Sequence, residues 1–289
     1  MNLPYQSEDI LVLGTAQDGG YPQVGCMADC CKEAWDDPKL KRMVSSLAIL
    51  SGNECWLIDI TPDFSYQLKM IEKKMKGPPN ISGIFITHAH IGHYLGLLQL
   101  GLEIMNTSKI PVYVMPKMKC FLEENAPFTQ LIKLNNIKLR SINENTVIML
   151  NDTLSIKPFL VPHRNEFSET IGLKVQSEDT SLLYIPDIDS WDIWDVNIID
   201  LIRRNDLIIL DGTFYSKKEL LGHNMNDVPH PCIKESIKRF SHLDKVDRDK
   251  VYFTHLNHSN PAINISSFET KELISKGFHI AEDKMVFTL

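Results

Sequence analysis

One stretch of the sequence decides the fold: Ile84-Phe-Ile-Thr-His88-Ala-His90-Ile-Gly-His93-Tyr-Leu-Gly-Leu-Leu98. It reads as a buried strand that runs into a loop with three histidines and then into an apolar helix. Because alternate residues of an extended loop point the same way, His88 and His90 come within reach of one ion, while His93 points to a neighbouring position. Solvated loop histidines are the alternative, but three so close together at a strand end favour a site for two adjacent metal ions.

Further ligands are expected at other strand ends, because a closed metal site collects side chains from distant parts of a chain. Each of His163, Asp187 and His255 directly follows an apolar run that is a candidate strand. A single residue of this kind could instead be a helix cap or a turn residue, and that alternative stays open for Asp187 and Asp189 taken singly. For the set as a whole, the metal site is favoured.

The composition of the 289 residues indicates an ordinary globular protein. Hydrophobic residues make up 43% and charged residues 23%, which excludes disordered, collagen-like and coiled-coil chains. The 37 acidic and 30 basic residues give a formal charge of -7, so no long-range basic field is available to attract a nucleic acid. The N-terminus has no secretory signal pattern and no run of about 18 apolar residues occurs. We therefore expect a cytoplasmic protein that does not enter a membrane, unless a leader has been removed.

Apolar segments are spread over the whole chain, and no repeat or linker divides it, so we expect a single domain over residues 1–289. Two sheets packed face to face, with helices on both outer faces, would bury all the apolar stripes, although periodicity also allows a doubly wound sheet. The predicted strands are Ile10–Leu13, Val44–Leu50, Cys55–Ile60, Ile84–Ile86, Pro111–Val114, Leu154–Val161, Ile171–Val175, Ser181–Ile185, Leu207–Leu210 and Val251–Phe253. The predicted helices are Asp63–Met75, His93–Met105, Lys117–Asn125, Val196–Arg204, Pro231–Phe240 and Phe268–Lys276.

Three of the six cysteines crowd into a short knuckle, Cys26-Met-Ala-Asp-Cys30-Cys31, after a Gly-rich loop. Thiolates at this spacing bind one tetrahedral zinc if a fourth ligand arrives from elsewhere, and His258 is the candidate. Reduced cysteines without a metal are the alternative. The other three cysteines are isolated and are expected to be small core residues: Cys55, Cys120 and Cys232.

The histidine motif resembles that of the metallo-β-lactamase fold superfamily, whose signature is H-x-H-x-D-H followed by a later His, a bridging Asp and a final His. The resemblance spans nearly the whole sequence. It implies an α/β fold, an αββα sandwich of two packed mixed β-sheets with helices on both outer faces. Three segments resemble the branch of pyrroloquinoline quinone biosynthesis protein B and the phosphoribosyl cyclic phosphodiesterase: Gly14-Thr-Ala-Gln-Asp-Gly-Gly20-Tyr-Pro-Gln-Val-Gly-Cys26, Asp211-Gly-Thr-Phe-Tyr215 and His255-Leu-Asn-His258-Ser-Asn-Pro261.

The resemblance implies two metal positions that share one carboxylate. The implied ligands are, at the first position, His88, His90 and His163; at the second, His93 and His255; and, between them, Asp187. The chain departs from the signature at Gly92, which stands where the family has an aspartate. The second position is therefore weak, empty or filled by a different metal, unless Glu166, Glu169 or Asp189 reaches in. Zinc, manganese and iron stay open, because two histidines and one carboxylate also suit non-haem iron.

Two groups of supporting residues follow from the same resemblance. Asp59 ends a strand where the family has a carboxylate beneath the H-x-H loop, and such a group accepts the second ring N–H of a metal-bound histidine. A simple strand-to-turn residue is the alternative for Asp59. The family also has a structural metal held by three cysteines and a histidine, but its C-x-C-x-x-C spacing is broken here, because Ala28 occupies the middle ligand position and Cys30 is an extra neighbour.

Four further residues are candidates for contact with the substrate. His230, in the segment that starts at Asn226, lies where a helix would offer backbone N–H groups to an anion. The resemblance implies that His230 contacts phosphate or protonates the leaving group, and a capping residue is the alternative. Thr213 and Tyr215 follow a buried strand and are expected to line the cleft. Arg164 is the nearest anion anchor, unless it is an ordinary exposed arginine.

The leading hypothesis is a metal-dependent hydrolase of a small phosphodiester or similar ester, in which Asp187 holds the bridging water and accepts its proton. The substrate is then a small anion, and we expect neither a nucleic-acid partner nor a membrane, although a homodimer stays open. An iron-dependent oxidative enzyme of cofactor maturation is the second hypothesis. The third is a binding protein that has lost catalysis because Gly92 replaces the aspartate.

Overall fold

The structure, a computed structural model, describes residues 7–219 and 228–289. Two seven-stranded sheets contain its strands. These strands are β1 (Glu8–Gly14), β2 (Ser46–Ser51), β3 (Glu54–Ile58), β4 (Asn80–Phe85), β5 (Ile110–Val114), β6 (Ile137–Ser141), β7 (Ile148–Met149), β8 (Ser155–Leu160), β9 (Ile171–Gln176), β10 (Ser181–Ile185), β11 (Leu207–Asp211), β12 (Val251–Thr254), β13 (His279–Ile280) and β14 (Val286–Thr288).

The two sheets have the same arrangement of strands. The first has the order β14-β1-β2-β3-β4-β5-β6 and the second has the order β7-β8-β9-β10-β11-β12-β13. In each sheet, read in this direction, three antiparallel pairs are followed by three parallel pairs. Both sheets are therefore mixed, and the chain consists of two similar halves.

Helices cover the outer faces, and the predicted ones are present except in one place. The helices are α1 (Asp29–Asp36), α2 (Phe64–Met75), α3 (Ile91–Tyr94), α4 (Pro116–Glu124), α5 (Phe128–Lys133), α6 (Ile198–Arg203), α7 (Ile233–Arg239), α8 (Lys245–Asp249) and α9 (Phe268–Ser275). The long helix predicted over 93–105 is wrong: α3 ends at Tyr94, and a 3-10 segment, Leu95–Leu100, follows it. The reason is Gly96, whose N–H donates to the carbonyl of Ile60 instead of continuing the helix.

Three apolar clusters lie between these layers. The inner cluster fills the space between the sheets and takes side chains from both, for example Trp56 of β3 and Tyr184 of β10. An outer cluster lies beneath the helices on each side. Along β3, Trp56 and Ile58 enter the inner cluster, while Cys55 and Leu57 enter an outer one. Because both faces of such a strand are buried, its sequence is a continuous apolar run.

The parallel strands bring their carboxyl ends to one edge of the sandwich. In the first sheet, β3 and β4 pair in parallel, and in the second sheet β10, β11 and β12 do so. Ligands of α/β proteins bind outside the carboxyl ends of strands. The residues at these strand ends are Asp59, His88, Asp187, Asp211 and His255. The architecture is therefore the αββα sandwich that the sequence predicts, with its polar edge at the predicted site.

Candidate metal centre

The first group of histidines lies between the two halves. His88 and His90 follow β4 in the first sheet, whereas His163 follows β8 in the second. Nε2 of His163 lies 3.2 Å from Nδ1 of His90. One nitrogen from each of the three rings lies within 4.8 Å of the others, which is compatible with a single ion between them.

Asp187 stands between this group and a second one. Its Oδ1 lies 3.8 Å from Nε2 of His163. Its Oδ2 lies 3.3 Å from Nε2 of His93 and 3.4 Å from Nε2 of His255. Oδ2 also lies 3.9 Å from Nε2 of His88, in the first group. The carboxylate thus lies between the two histidine groups and contacts both, which is the arrangement of a bridging ligand.

The donor atoms themselves fit a cation. Four of them are buried and have no hydrogen-bond partner among the described residues: His88 Nε2, His93 Nε2, His255 Nε2 and Asp187 Oδ2. Each buried polar atom without a partner costs about 1–3 kcal/mol. Divalent ions such as Zn²⁺ accept imidazole nitrogen and carboxylate oxygen together, so bound metal would satisfy all four atoms. Burial alone would raise the pKa of Asp187, but the surrounding imidazoles hold it well below its ordinary value.

The first half orients its histidines through Asp59 and Thr87. Asp59 Oδ2 lies 2.7 Å from Nδ1 of His93, and the carboxylate also accepts hydrogen bonds from the N–H and hydroxyl of Thr87. The same hydroxyl lies 3.0 Å from Nδ1 of His88. Burial lowers the pKa of His93, but the charge of Asp59 outweighs this and raises the pKa to about 9. With Nδ1 held in this way, Nε2 faces the other ligands.

The second half repeats the arrangement with Asp211 and Thr213. Asp211 Oδ2 lies 2.7 Å from Nδ1 of His230, and Oδ1 accepts from the N–H and hydroxyl of Thr213. That hydroxyl lies 3.0 Å from Nδ1 of His255. The prediction that Thr213 lines the cleft is therefore wrong, because it is fully buried behind His255. Asp211 was missed as a supporting residue, although its position at the end of an apolar strand, like that of Asp59, was a usable signal.

Two other predictions about the substrate cleft are also wrong. The hydroxyl of Tyr215 donates to Glu272 on α9, 2.8 Å away, and the buried ring packs in the outer cluster of the second sheet. The first N–H groups of α7 are not open to an anion, because those of Ile233 and Lys234 donate to the carbonyls of residues 214 and 215. The start of that predicted segment, Asn226 and Asp227, lies outside the described residues.

His230 and Arg164 lie beside the histidine groups. The ring of His230 is buried, with its centroid 5.4 Å from that of His163. Burial lowers its pKa, but the Asp211 carboxylate outweighs this and raises it above the ordinary value. A guanidinium nitrogen of Arg164 lies 3.3 Å from Nε2 of His90. Both residues are thus close enough to meet a molecule bound at the centre.

None of the three carboxylates suggested as substitutes for the missing aspartate lies between His93 and His255. Asp189 is 2.8 Å from Nδ1 of His163, where it orients that ring. Glu166 is 3.7 Å from Nε2 of His90, and Glu169 accepts from the N–H of Lys117. The carboxylate that does approach is Asp18, from the loop after β1: its Oδ1 lies 3.6 Å from Nε2 of His93.

The cysteine knuckle gathers four side chains at a separate place. The Sγ atoms of Cys26 and Cys30 are 3.7 Å apart. Nδ1 of His258 lies 3.6 Å from Sγ of Cys30 and 3.3 Å from Sγ of Cys31. Tetrahedral zinc with its usual bond lengths separates two thiolates by about 3.7 Å and a thiolate from an imidazole nitrogen by about 3.5 Å. The four side chains therefore fit one zinc ion, and Cys30 would supply the ligand that Ala28 cannot.

The isolated cysteines behave differently from one another. Cys55 and Cys232 are buried, as predicted, but Cys120 is exposed on α4, so its expected core position is wrong.

Among the described residues, we find no helix of the length and apolar character that spanning a membrane requires.

Comparison with known proteins places this site in a family. The family model described as Beta-lactamase superfamily domain matches residues 56–256, more than half of the chain. Curated relatives named Coenzyme PQQ synthesis protein B match over almost their whole length. The protein from Rhodopseudomonas palustris (strain TIE-1) is 27% identical, over 97% of this chain and 99% of that protein. The protein from Acinetobacter baylyi is 25% identical, over 96% of this chain and 98% of that protein.

Solved structures share the fold. Zn(2+)-bound PqqB from Methylobacterium extorquens aligns with a TM-score of 0.81 at 21% identity, over 97% of this chain and 100% of that chain. A diphosphatase from the PhnP family aligns with a TM-score of 0.70 at 23% identity, over 98% of both chains. The chain therefore belongs to the beta-lactamase superfamily and has the metallo-β-lactamase fold.

Proposed function

We propose that this protein is a metal-dependent hydrolase of a small phosphodiester or a related anionic ester. The observation that carries the proposal is a set of four buried donor atoms at the centre, Asp187 Oδ2 among them, contributed by both halves of the sandwich. These atoms have no hydrogen-bond partner in the part of the chain that the structure describes. A structural metal site is closed by protein ligands on all sides. This centre instead lies beside Arg164 and His230, at the edge of the sandwich where α/β proteins bind their ligands. The structural neighbour named as a diphosphatase supports the class of reaction.

The residues of the centre would have separate roles in the proposed reaction. The first metal would be held by His88, His90 and His163, the second by His93 and His255, and Asp187 would hold both. Divalent ions held there would lower the pKa of a bound water and would stabilise charge on an attacked phosphoryl oxygen. Asp187, whose lowered pKa makes it a weak base, would orient the attacking water through a hydrogen bond rather than keep its proton. Arg164, beside His90, is placed to bind a negatively charged oxygen of the ester.

His230 is placed to give a proton to the leaving group. Asp211 holds the Nδ1–H of His230, which leaves the Nε2 side of the ring for the substrate. A cavity of about 660 Å³ opens beside His230 and Asp189, with Lys238 and Arg239 on its wall. This volume suits a small molecule rather than a polymer. Acidic residues line the same cavity: Asp192 pairs with Arg239, and Glu235 pairs with Lys217. The cavity therefore offers a polar wall of mixed charge for the remainder of the ester.

The test is hydrolysis by the purified full-length protein, with its metal content measured in the same sample. We expect zinc or manganese and turnover of bis(4-nitrophenyl) phosphate or of a cyclic nucleotide. His90→Ala should reduce the rate at least about a hundredfold, because it removes one ligand. The matched control is His279→Ala, since His279 lies on β13 and bonds to Asp249. Equal rates in His90→Ala and the unmodified protein would overturn the proposal.

A second candidate is an oxidative enzyme of cofactor maturation that uses iron in the same cage. The observation in its favour is the similarity of the chain, over almost its whole length, to relatives named Coenzyme PQQ synthesis protein B. Oxygen uptake by the iron-loaded protein, without ester hydrolysis with any added metal, would favour this candidate.

A single domain, a homodimer and a cytoplasmic location stay predictions. Size-exclusion chromatography with light scattering would test whether the protein is a homodimer.

A further inference from the structure

We propose that Asp18 supplies the second metal position with the carboxylate that the family signature has at residue 92. This inference rests on the proposed function for the presence of two metals, and it adds a ligand from outside the signature. If this inference holds, the second position can still bind a metal although residue 92 is glycine instead of the aspartate of the family signature. The carboxylate comes instead from the loop that follows β1.

The geometry puts Asp18 with the two histidines of that position. Oδ1 of Asp18 lies 3.6 Å from Nε2 of His93. One ligand atom each from Asp18, His93 and His255 lies within 4.8 Å of the other two. Within residues 7–219 and 228–289, the Nε2 atoms of His93 and His255 have no hydrogen-bond partner, and the Asp18 side chain is 26% exposed. Asp18 therefore lies at the solvent side of the second position, opposite the buried Asp187.

The Asp18 side chain occupies the space that a side chain at residue 92 would need. The N–H of Gly92 donates to Oδ1 of Asp18 across 3.0 Å. A Cβ atom at residue 92 would lie 2.3 Å from that oxygen and 2.7 Å from the Cα of Asp18. Both distances are shorter than ordinary contacts between atoms, so a side chain at residue 92 and Asp18 exclude each other. The absence of a side chain at residue 92 is what admits the Asp18 carboxylate.

The loop that carries Asp18 is fixed to the strand end that carries His255. The N–H of Leu256 donates to the carbonyl of Thr15 across 2.8 Å, and the N–H of Gln17 donates back to Leu256 across 2.9 Å. The N–H of Ala16 donates to the carbonyl of Met43, so the same segment is also held by the chain that leads into β2. Asp18 is thus positioned before metal binds, and little chain entropy is lost on binding.

The ligand sets then differ in charge between the two positions. With Asp187 shared, the second position has two imidazoles and two carboxylates, whereas the first has three imidazoles and one carboxylate. Carboxylate oxygen favours harder cations such as Mn²⁺ more than imidazole nitrogen does. The second position should therefore accept Mn²⁺ more readily than the first, and this preference should depend on Asp18.

The test is metal binding, measured apart from activity. Chelator-treated protein is titrated with Zn²⁺ in isothermal titration calorimetry, and native mass spectrometry counts the ions. We expect three per chain, two at the centre and one at the cysteine knuckle. Asp18→Asn keeps the oxygen that accepts from Gly92 but removes the charge. It should lose one ion, or bind its last ion at least about tenfold more weakly. The exposed residue Asp36 supplies the control variant, Asp36→Asn, which should behave like the parent.

The outcomes separate this inference from the proposed function. Loss of one ion in Asp18→Asn from a parent that hydrolyses no ester supports the inference and counts against the proposed function. The same ion count and affinity in Asp18→Asn and the parent overturn the inference, whatever the activity. If Asp18→Asn does not fold, a zinc-edge anomalous map of the parent decides: an Asp18 oxygen within about 2.2 Å of the second ion supports the inference, and a longer distance overturns it.

Discussion

The carboxylate of Asp59 lies 2.7 Å from Nδ1 of His93, and both side chains are buried. The second half of the chain repeats this pair, with Asp211 at the same distance from His230. In both halves, the carboxylate ends or directly follows a strand, and a threonine hydroxyl links it to another histidine of the centre. The protein thus supports its centre with two copies of one arrangement, one from each sheet.

Asp59→Asn should weaken metal binding about 10- to 100-fold without unfolding the protein. The amide oxygen would keep the hydrogen bond from the N–H of Thr87. The amide nitrogen would then face Nδ1 of His93 and force the ring proton to Nε2, where a metal would otherwise bind. Zinc titration measures the loss. An affinity equal to that of the parent would show that Asp59 does not set the tautomer of His93.

Asp187→Asn should reduce ester hydrolysis at least about a hundredfold and lower the number of ions at the centre. The amide keeps the size of the carboxylate but removes the charge that faces His163 on one side and His93 on the other. The rate and the ion count should be measured on one sample. Full activity with the parent's ion count would exclude a bridging role for Asp187.

Cys31→Ser should remove one zinc ion and lower the melting temperature of the zinc-loaded protein. Sγ of Cys31 lies 3.3 Å from Nδ1 of His258, so the substitution opens the shell of the knuckle. Thermal unfolding with zinc and with chelator measures the effect, and the difference between the two conditions should shrink in the variant. The matched control is Cys120→Ser, which changes an exposed free cysteine. Equal melting temperatures for both variants would argue against a knuckle metal.

Gly92→Asp should lower the free energy of unfolding by about 1–3 kcal/mol, because the new side chain overlaps Asp18. It should not restore a better second metal position. The double variant Asp18→Gly with Gly92→Asp should be less destabilised than the sum of the two single changes. Urea unfolding of all four proteins gives this coupling energy. Strong new hydrolysis in Gly92→Asp, from a parent that has none, would instead favour the view that the natural chain is a binding protein.

The sequence predicts the strands well because many are buried on both faces. Trp56 and Ile58 pack between the sheets while Cys55 and Leu57 pack beneath helices, so the whole strand is apolar and easy to recognise. The helix after His93 was predicted too long because its apolar spacing continues past Gly96. Its end is set by a backbone hydrogen bond to Ile60, which no local pattern reveals.

The histidine ligands could be found from the sequence because they follow strands whose carboxyl ends meet. Asp18 could not be found in this way. It lies in an irregular loop 74 residues from Gly92, and the hydrogen bonds of that loop to Leu256 and Met43 bring it to the centre. The prediction that Tyr215 lines the cleft was wrong for a related reason, because its side chain points toward α9 and its hydroxyl donates to Glu272 there.

The most direct test of a metal-dependent hydrolase is to return zinc stepwise to the chelator-treated protein and follow hydrolysis of a phosphodiester. The rate should be absent without metal, rise as the centre fills and reach its maximum when both positions are occupied. It should stay near zero in His90→Ala at every zinc level. A rate that does not depend on added metal, or no hydrolysis of any phosphodiester at full occupancy, would contradict the proposed function.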